Sequence, residues 1–282
     1  MIKVCFSDFW KPFDPNNNFF IHIIRELYEN VEVVYPEDAD VMFFSVFGNE
    51  NTMYKDCKKI FFTGENNRPN FKKCDYSLTF DFESYGGKNF RLPLWYLYID
   101  WFDVKTYDNP QWLIPESYLY GENEFTLKPK DKFCSIVYGK YIQSRVSAIR
   151  NISKYKTVDV FGKANPNHNL PDGERYKMDL ISDYKFSLCY ENSITSGYHT
   201  EKLLHGKIAG NIPIYYGDRT ISEDFNPECF INAAEMSDEE LVDIIEKIDS
   251  DNSLYIEMKN QPLFKSKLTL DEICANFKTI LS

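Results

Sequence analysis

One segment in the second half of the chain combines hydroxyl, carboxylate and ammonium groups where an apolar run gives way to a helical pattern. Residues 190–202 have the sequence YENSITSGYHTEK, and Thr200 can cap the helix that follows. The N–H groups at the start of a helix attract anions, and ligands of open parallel sheets bind where strands end. Lys202 can neutralise a diphosphate, and Glu201 can accept two hydrogen bonds from a ribose diol. The pattern therefore indicates a nucleotide site, although a capped surface helix with a solvated charge pair fits the same spacing.

A second candidate is Glu65, which follows the apolar run 59–63 through Gly64. A carboxylate at such a strand end is expected to project into a cleft between two domains. There it can act as a general base and take the proton of an attacking hydroxyl group. The alternative is a glutamate that caps a turn through Asn66 and Asn67.

The elements that must position these groups follow an alternation of apolar runs and helical patterns, which is typical of a parallel sheet flanked by helices. In the first third of the chain, strands are predicted at 4–6, 31–35, 40–46 and 59–63, and a helix at 19–29. This half is predicted to be Rossmann-like.

A polar segment at 121–132, which contains Pro129, predicts a linker between two domains at 1–125 and 126–282. A second α/β series begins there. Its predicted strands are 133–137, 157–161, 185–190 and 212–216, and its predicted helices are 141–153, 200–209 and 271–281. The nucleotide-site candidate lies inside the most regular βαβ crossover of this series.

Composition excludes several classes of function. The chain has 282 residues, 43% of them hydrophobic, and a formal net charge of -11, so nucleic acid is not expected as a partner. Its seven cysteines are odd in number and form no CxxC pair, which argues against a disulfide framework. The cysteine pattern therefore favours a reducing compartment. Neither a signal peptide nor a transmembrane segment is predicted. We therefore expect a cytoplasmic location, with peripheral attachment to a membrane left open.

Three ordered motifs resemble those of the α-1,3-fucosyltransferase family over roughly residues 1 to 235. The longest consists of KFSLCYENS at 185–193, GYHTEK at 197–202 and GNIPIYYG at 210–217. The two upstream matches are FTGEN at 62–66, followed by Pro69 and Asn70, and RLPL at 91–94. Three matches in the correct order are hard to obtain by chance.

This resemblance implies an α/β fold of the GT-B type, in which two Rossmann-like domains face each other across a cleft. It further implies an inverting transfer of L-fucose from GDP-fucose to a glycan acceptor, with an α-1,3 linkage expected. Glu65 matches the family's proposed general base. The implied donor-binding residues are Arg145, Asn192, Tyr198, Glu201 and Lys202, and the candidate acceptor-binding aromatic residues are Trp10 and Trp95.

Arg145 owes its assignment to the position where this family places a diphosphate-binding arginine. A guanidinium can hold two phosphate oxygens at once, whereas an exposed helix arginine near Lys140 and Arg150 is the alternative. No metal is required in this scheme, and Mn or Mg would act only as stimulants. Two alternatives for the function stay open: another GDP-sugar as donor, and a nucleotide-sugar or glycan-binding protein without catalysis.

Two further features need separate treatment. The DxD pattern of Asp38 and Asp40 resembles a cation-binding motif, but it precedes a predicted strand instead of following one, so an edge turn is expected. His199 stands where relatives usually carry an apolar residue, and Asp218 replaces a residue that is commonly small. An exposed loop histidine is the simplest interpretation of His199.

Overall fold

The chain divides into two compact units in the computed structural model, which describes residues 1–163 and 173–282. Unit 1 consists of Met1–Ile114 together with Leu268–Ser282, and unit 2 is the continuous segment Pro115–Lys267. This division differs from the predicted boundary at 125 and 126, and it also assigns the C-terminal segment to the first unit instead of the second. The physical reasons lie in the packing of the two segments concerned.

Unit 1 is built on a six-stranded sheet in which every neighbouring pair of strands is parallel. Its strands are β1 (Ile2–Ser7), β2 (Val31–Val33), β3 (Val41–Phe44), β4 (Lys58–Phe62), β5 (Tyr76–Thr79) and β6 (Asn89–Arg91). The order is β2-β1-β3-β4-β5-β6, so the direction of winding reverses between β1 and β3. Two short strands, β7 (Ile99–Asp100) and β8 (Ile114–Pro115), pair separately.

Helix α1 (Phe19–Leu27) covers one face of this sheet. It begins at Asn18, whose side chain accepts a hydrogen bond from the N–H of Ile21 at 2.9 Å. Its apolar side is almost fully buried against the sheet. The polar start and the apolar stripe explain why the sequence predicted this helix almost to its ends.

The last helix of the chain, α7 (Asp271–Leu281), also belongs to unit 1. Ile273, Phe277 and Ile280 are buried in the same apolar cluster as β1, β3 and α1. The ring of Phe277 stacks on that of Phe43, with 6.0 Å between centroids. Because three large apolar side chains would be exposed without this contact, α7 packs where the sheet of unit 1 offers an apolar face.

Unit 2 contains a second sheet, of five strands, which is also parallel throughout. Its strands are β9 (Lys132–Val137), β10 (Val158–Phe161), β11 (Tyr184–Tyr190), β12 (Ile212–Tyr216) and β13 (Ile231–Asn232). Its helices are α2 (Gln143–Ile152), α3 (Glu174–Ile181), α4 (Glu201–Ile208), α5 (Asp238–Ser250) and α6 (Asn252–Lys259). The order β10-β9-β11-β12-β13 places the reversal of winding between β9 and β11.

The segment that was predicted as a linker is packed into unit 2. Phe125 is fully buried, and Asn123 donates a hydrogen bond to the carbonyl oxygen of Ile208 at 3.2 Å. The ammonium of Lys130 donates to the carbonyl oxygens of Ser182 at 2.5 Å and Ala209 at 2.7 Å, where α3 and α4 end. Lys130 thus caps the carbonyl ends of two helices. This polar segment therefore has a structural role that its composition does not predict.

A search of the described residues for membrane-spanning helices finds none with the necessary length and apolar character.

Candidate functional site

The site in unit 2 lies at the carboxyl ends of β9 and β11, between which the winding of the sheet reverses. Such a reversal leaves a crevice where ligands bind in open α/β sheets. Arg145, on the first turn of α2, extends to this point and is only 3% exposed. Its Nη2 donates to the carbonyl oxygen of Tyr190 at 2.6 Å and to Oδ1 of Asn192 at 2.7 Å. Arg145 is therefore a buried, oriented cation, and the exposed helix arginine considered from the sequence is not what the structure contains.

Glu191, directly after β11, organises the start of α4. Its carboxylate is 3% exposed and accepts hydrogen bonds from the N–H of Thr200 at 2.9 Å and from Nζ of Lys202 at 2.8 Å. Thr200 does occupy the cap position of α4, but its side chain makes no capping bond within the helix and instead donates to Glu191. A carboxylate from a neighbouring strand end thus replaces the local cap that the sequence predicted.

Glu201 and Lys202 form a half-buried charge cluster with Lys177 of α3. The Nζ atom of Lys202 lies 3.8 Å from Oε1 of Glu201. Burial alone would raise the pKa of Glu201, but the charges of Lys202 and Lys177 outweigh it and lower the pKa to about 2. Burial would likewise lower the pKa of Lys202, whereas Glu191 and Glu201 raise it above its ordinary value. Both side chains are therefore ionised across the neutral range.

His205, one turn further along α4, completes this cluster. Burial and the charge of Lys177 hold the pKa of His205 well below its ordinary value, so the imidazole is neutral. Its Nδ1 lies 3.0 Å from Nζ of Lys177, from which it can accept a hydrogen bond.

The loop between Asn192 and Thr200 is held by a second network, which consists of His199, Asp218 and Asp224. The Nδ1 atom of His199 lies 2.7 Å from Oδ2 of Asp224, and its Nε2 lies 3.7 Å from Oδ2 of Asp218. The same Asp218 oxygen accepts a hydrogen bond from the N–H of Gly197 at 2.8 Å. The His199 side chain is completely buried, so the prediction of an exposed loop histidine is wrong.

Asp218 is ionised in this network. Burial would raise the pKa of its carboxyl group, but the hydrogen bonds from the hydroxyl of Thr220 and the N–H of Gly197 lower it. Tyr198, between Gly197 and His199, is 4% exposed. Its ring is therefore fixed by the packing of the loop, in a position set by His199 and Asp218.

The site in unit 1 is a cavity of about 160 Å³ at the carboxyl ends of its strands. Glu65 and Trp10 both line it, and the carboxylate-bearing side chain of Glu65 is exposed. The other lining residues are Phe47, Gly64, Leu94, Leu97, Tyr98, Asn109 and Pro110. The cavity thus presents one carboxylate among mainly apolar walls. This arrangement suits a general base beside a surface that packs against the C–H groups of a sugar ring.

Gly64 gives Glu65 its position. A Cβ atom at residue 64 would lie 2.7 Å from Cδ1 of Leu94, which is closer than real Cβ contacts come. The N–H of Glu65 donates to Oγ1 of Thr63 at 2.9 Å and fixes the backbone beyond the strand. The FTGEN motif therefore places a carboxylate at the mouth of the cavity by close packing on the RLPL motif.

The two tryptophans that were predicted to contact an acceptor differ in their surroundings. Trp10 lines the cavity, and its Nε1 donates to the carbonyl oxygen of Asn109 at 3.2 Å. Trp95 is 2% exposed, stacks on Tyr96 with 4.0 Å between ring centroids, and does not line the cavity. Trp95 is thus packed as a core residue, while its neighbours Leu94, Leu97 and Tyr98 line the wall of the cavity.

The structure brings all five predicted donor residues together within unit 2, and Glu65 and Trp10 together within unit 1. Sequence reasoning missed Glu191 and Lys177. Glu191 could have been found from its place directly after a strand, next to Asn192. Lys177 carried no signal, because a single lysine on a polar helix is indistinguishable from a solvated one. Among the described residues, no group of three or more His, Cys, Asp or Glu side chains could hold a metal ion.

Two family models match the chain. The model of the alpha-(1,3)-fucosyltransferase FucT N-terminal domain matches residues 4–98, and that of the C-terminal part of glycosyltransferase family 10 (fucosyltransferase) matches residues 127–261. The matched segments contain all three motifs and every predicted site residue.

Relatives with curated descriptions give the same picture. Alpha-(1,3)-fucosyltransferase FucT of Helicobacter pylori is 28% identical over 99% of this chain and 66% of its own length. A putative fucosyltransferase of Acanthamoeba polyphaga mimivirus is 34% identical over 53% of this chain and 27% of its own length. The chain thus spans less than two thirds of the length of either relative.

The fold has a counterpart among solved structures. A crystal structure of alpha1,3-fucosyltransferase with GDP-fucose superposes with a TM-score of 0.76 and 24% sequence identity, covering 100% of this chain and 90% of that one. This likeness confirms the predicted α/β fold class of the GT-B type.

Proposed function

Since the chain belongs to glycosyltransferase family 10, the fucosyltransferases, we propose that it transfers L-fucose from GDP-fucose to a hydroxyl group of a glycan acceptor. The observation that carries this proposal is the cluster of buried Arg145 and half-buried Glu201 and Lys202 at the switch point of unit 2. It offers two oriented cations and a helix N-terminus to a diphosphate, and an ionised carboxylate to a ribose diol.

In the proposed reaction, the acceptor oxygen attacks the anomeric carbon of β-L-fucose as the bond from that carbon to the β-phosphate oxygen breaks. The bond's electron pair leaves with GDP, whose growing negative charge Arg145 and Lys202 stabilise. Glu65 takes the proton of the attacking hydroxyl group. A single displacement of this kind inverts the configuration, which gives an α-linked fucose, and the expected linkage is α-1,3.

The remaining assignments follow from this reaction. Asn192 and Tyr198 bind the donor beside Arg145, and Trp10 contacts the acceptor in the cavity of Glu65. Side-chain cations take the place of a divalent ion at the diphosphate, so neither Mn nor Mg is required, although either can act as a stimulant of product release.

The alternatives are another GDP-sugar as donor and a binding protein without catalysis. Ribose and phosphate contacts do not distinguish GDP-fucose from other GDP-sugars. Against the binding protein stands the exposed carboxylate of Glu65, because a protein that only binds has no use for a base at an apolar cavity.

The test is incubation of the purified protein with a panel of GDP-sugars and a glycan array, followed by mass spectrometry of the products. We expect an acceptor to gain mass only when GDP-fucose is the donor, and the gain should be that of one deoxyhexose. A gain with a different GDP-sugar would replace the donor, and binding of GDP-fucose without any product would support the binding protein.

A further inference from the structure

A second cavity of unit 1, of about 240 Å³, lies next to that of Glu65 and has a different character. We call it the asparagine groove. It is lined by Phe44, Ser45, Val46, Gly48, Asn49, Asn51, Thr52, Phe61, Asn67, Arg68, Asn70, Lys73 and Cys74. Its volume is below the roughly 300–1,000 Å³ of pockets that enclose a drug-sized ligand, which suits one sugar residue.

The asparagine groove and the cavity of Glu65 share a wall. Val46 and Gly48 line the groove, whereas Phe47, between them in the chain, lines the cavity. The same division occurs after β4, where Glu65 lines the cavity and Asn67 lines the groove. A ligand that reaches over this wall can therefore occupy both spaces at once.

The wall is rigid because Asp8 fastens it. The Asp8 carboxylate accepts hydrogen bonds from the N–H of Glu50 at 2.9 Å and from the N–H and Nδ2 of Asn51 at 2.9 and 2.6 Å. Asp8 has a φ of 60°, a conformation that costs free energy in a residue other than glycine. A Cβ atom at Gly48 would lie 2.2 Å from Oδ1 of Asp8, so the loop closes on this carboxylate as tightly as it can.

The groove lies at the carboxyl ends of β3 and β4, whose last residues, Phe44 and Phe61, belong to its lining. Ser45, directly after β3, is 3% exposed and lines the groove. Within the part of the chain that the structure describes, its buried hydroxyl oxygen has no hydrogen-bond partner.

The charges of the residues that line the groove indicate what kind of molecule it can bind. None of the residues that line the groove, all within the described ranges, is acidic, although the whole chain has a net charge of -11. Lys73 and Arg68 supply two positive charges. Three asparagine side chains supply amide donors, since that of Asn51 already donates to Asp8. Arg68 contacts Asp81 through Nη2 at 3.3 Å and retains further donors, since a guanidinium has five.

We infer that the asparagine groove binds an anionic sugar residue of the acceptor glycan, one that bears a carboxylate or a phosphate, while the reacting hydroxyl group of a neighbouring residue faces Glu65. This inference rests on the proposed function. It gives the acceptor two points of contact, and it makes Lys73 a residue that determines acceptor specificity.

The test compares charge reversal at Lys73 with the same reversal at Lys72. Lys72 is its exposed neighbour and does not line the groove, so the two variants share net charge and long-range field. The acceptors are pairs that differ only by a carboxylate or by a phosphate. We expect Lys73→Glu to raise the KM for the anionic member about fivefold or more, with kcat and the KM for the neutral member within about twofold. Lys72→Glu should leave both KM values unchanged.

A direct binding measurement separates this inference from the proposed function. Saturation-transfer NMR with methyl β-glucuronide, glucose 6-phosphate and methyl β-glucoside reports binding without any turnover. We expect Lys73→Glu, but not Lys72→Glu, to abolish the signal of whichever anionic sugar binds, and the two anionic probes to tell carboxylate from phosphate.

The outcomes are distinct. Equal behaviour of the two variants in kinetics, or anionic signals that survive Lys73→Glu, would overturn the inference. If the wild-type protein fucosylated no acceptor but showed binding that depends on Lys73, the proposed function would fail while the groove's ligand class stood.

Discussion

Glu65 differs from the buried carboxylates of this protein because its side chain does not help to hold the fold together. Within the described residues its carboxylate makes no hydrogen bond or ion pair, and only its backbone is fixed, through Thr63 and Asn67. A side chain that contributes little to stability and lines a cavity can be changed without harm to the fold. Its role can therefore be tested with a single substitution.

We predict that Glu65→Gln lowers turnover by at least about a hundredfold, because general-base assistance contributes about 10² to 10⁴ in rate. The dissociation constant of GDP-fucose and the melting temperature should stay at wild-type values, since shape is retained. Turnover, donor affinity and melting temperature are measured on one preparation. Glu83→Gln, a change of an exposed carboxylate away from the cavity, is the control.

A stable Glu65→Gln protein that kept more than about a tenth of wild-type turnover would contradict the base assignment. A joint fall in stability, donor affinity and turnover would point to a structural role instead.

Lys202 is a harder residue to test, because it neutralises both a proposed ligand and the buried carboxylate of Glu191. We predict that Lys202→Met raises the dissociation constant of GDP about tenfold or more and also slows turnover, as a charge-assisted contact is lost. The same variant should lower the melting temperature, since Glu191 is left buried without its cation.

A double variant separates these two effects. Glu191→Gln combined with Lys202→Met should recover most of the melting temperature, because no uncompensated charge stays buried, yet it should still bind GDP poorly. If the double variant regained donor affinity as well, Lys202 would act only through Glu191 and the placement of the diphosphate would be wrong.

At the scale of single residues, sequence reasoning succeeded where a motif fixed the neighbours and failed where only residue type was known. Glu65 and Lys202 stand at the ends of strands and at the start of a helix, and those positions follow from the apolar pattern. Trp95 looked equally suitable as a sugar-stacking ring, but its burial depends on contacts with residues distant in the chain. Such contacts have no local signature.

At the scale of elements, His199 holds the loop 192–200 in place through contacts that an apolar side chain at this position could not make. Asp224 and Asp218 flank the imidazole, and Asp218 holds the backbone at Gly197. The loop carries Tyr198 and ends at the helix that bears Glu201. Donor binding should therefore depend on a network that does not itself touch the donor.

We predict that His199→Leu lowers the free energy of unfolding by about 3 kcal/mol, because the buried Asp224 carboxylate loses the imidazole that lies 2.7 Å from it. The dissociation constant of GDP should rise at the same time, since the loop loses its anchor. Chemical denaturation and calorimetric titration with GDP measure the two quantities.

The matched variant is His199→Leu combined with Asp224→Asn, which also removes the negative charge of the Asp224 carboxylate. Stability should then return by at least half, and the double-mutant cycle should show a coupling energy between the two positions. Additive effects of the two single changes would mean that the contact between His199 and Asp224 contributes nothing to the loop.

The elements themselves were predictable to different degrees. Strands such as β4 and β12, each of which contains a run of at least three large apolar or aromatic side chains or proline, were found almost to their ends. β6 (Asn89–Arg91) was missed, because three residues of mixed polarity have no periodicity to detect. Its partner β5 provides the hydrogen bonds that make it a strand, with Leu78 opposite Phe90.

At the scale of the whole molecule, the proposed chemistry predicts a response to GDP that needs no divalent ion. GDP at about 100 times its dissociation constant should raise the melting temperature by roughly 5 °C in the presence of EDTA. The reason is that Arg145, Lys202 and the start of α4 supply the positive charge. Differential scanning fluorimetry with and without Mn or Mg measures the effect, and a shift that appeared only with a metal would contradict it.

The division of the chain was the least predictable feature at this scale. A polar, charged segment with a proline predicted a linker at 121–132, yet Phe125 and Lys130 are built into unit 2. The helix Asp271–Leu281 was predicted correctly as an element, but its amphipathic pattern does not state which apolar face it will cover. Contacts with residues distant in the sequence decide whether the segment 121–132 is a linker and which sheet the helix covers.

The return of α7 to unit 1 has a consequence for the synthesis of the protein on the ribosome. Unit 2 is one uninterrupted stretch and can complete its core as soon as Lys267 has emerged. Most of unit 1 precedes unit 2 in the sequence, yet it lacks Ile273, Phe277 and Ile280 until the segment after Lys267 has emerged as well. The usual order, in which the N-terminal domain folds first, is therefore reversed here. Nascent chains should expose the apolar face of the first sheet until α7 has emerged, and a chaperone that binds apolar segments could occupy that face until then.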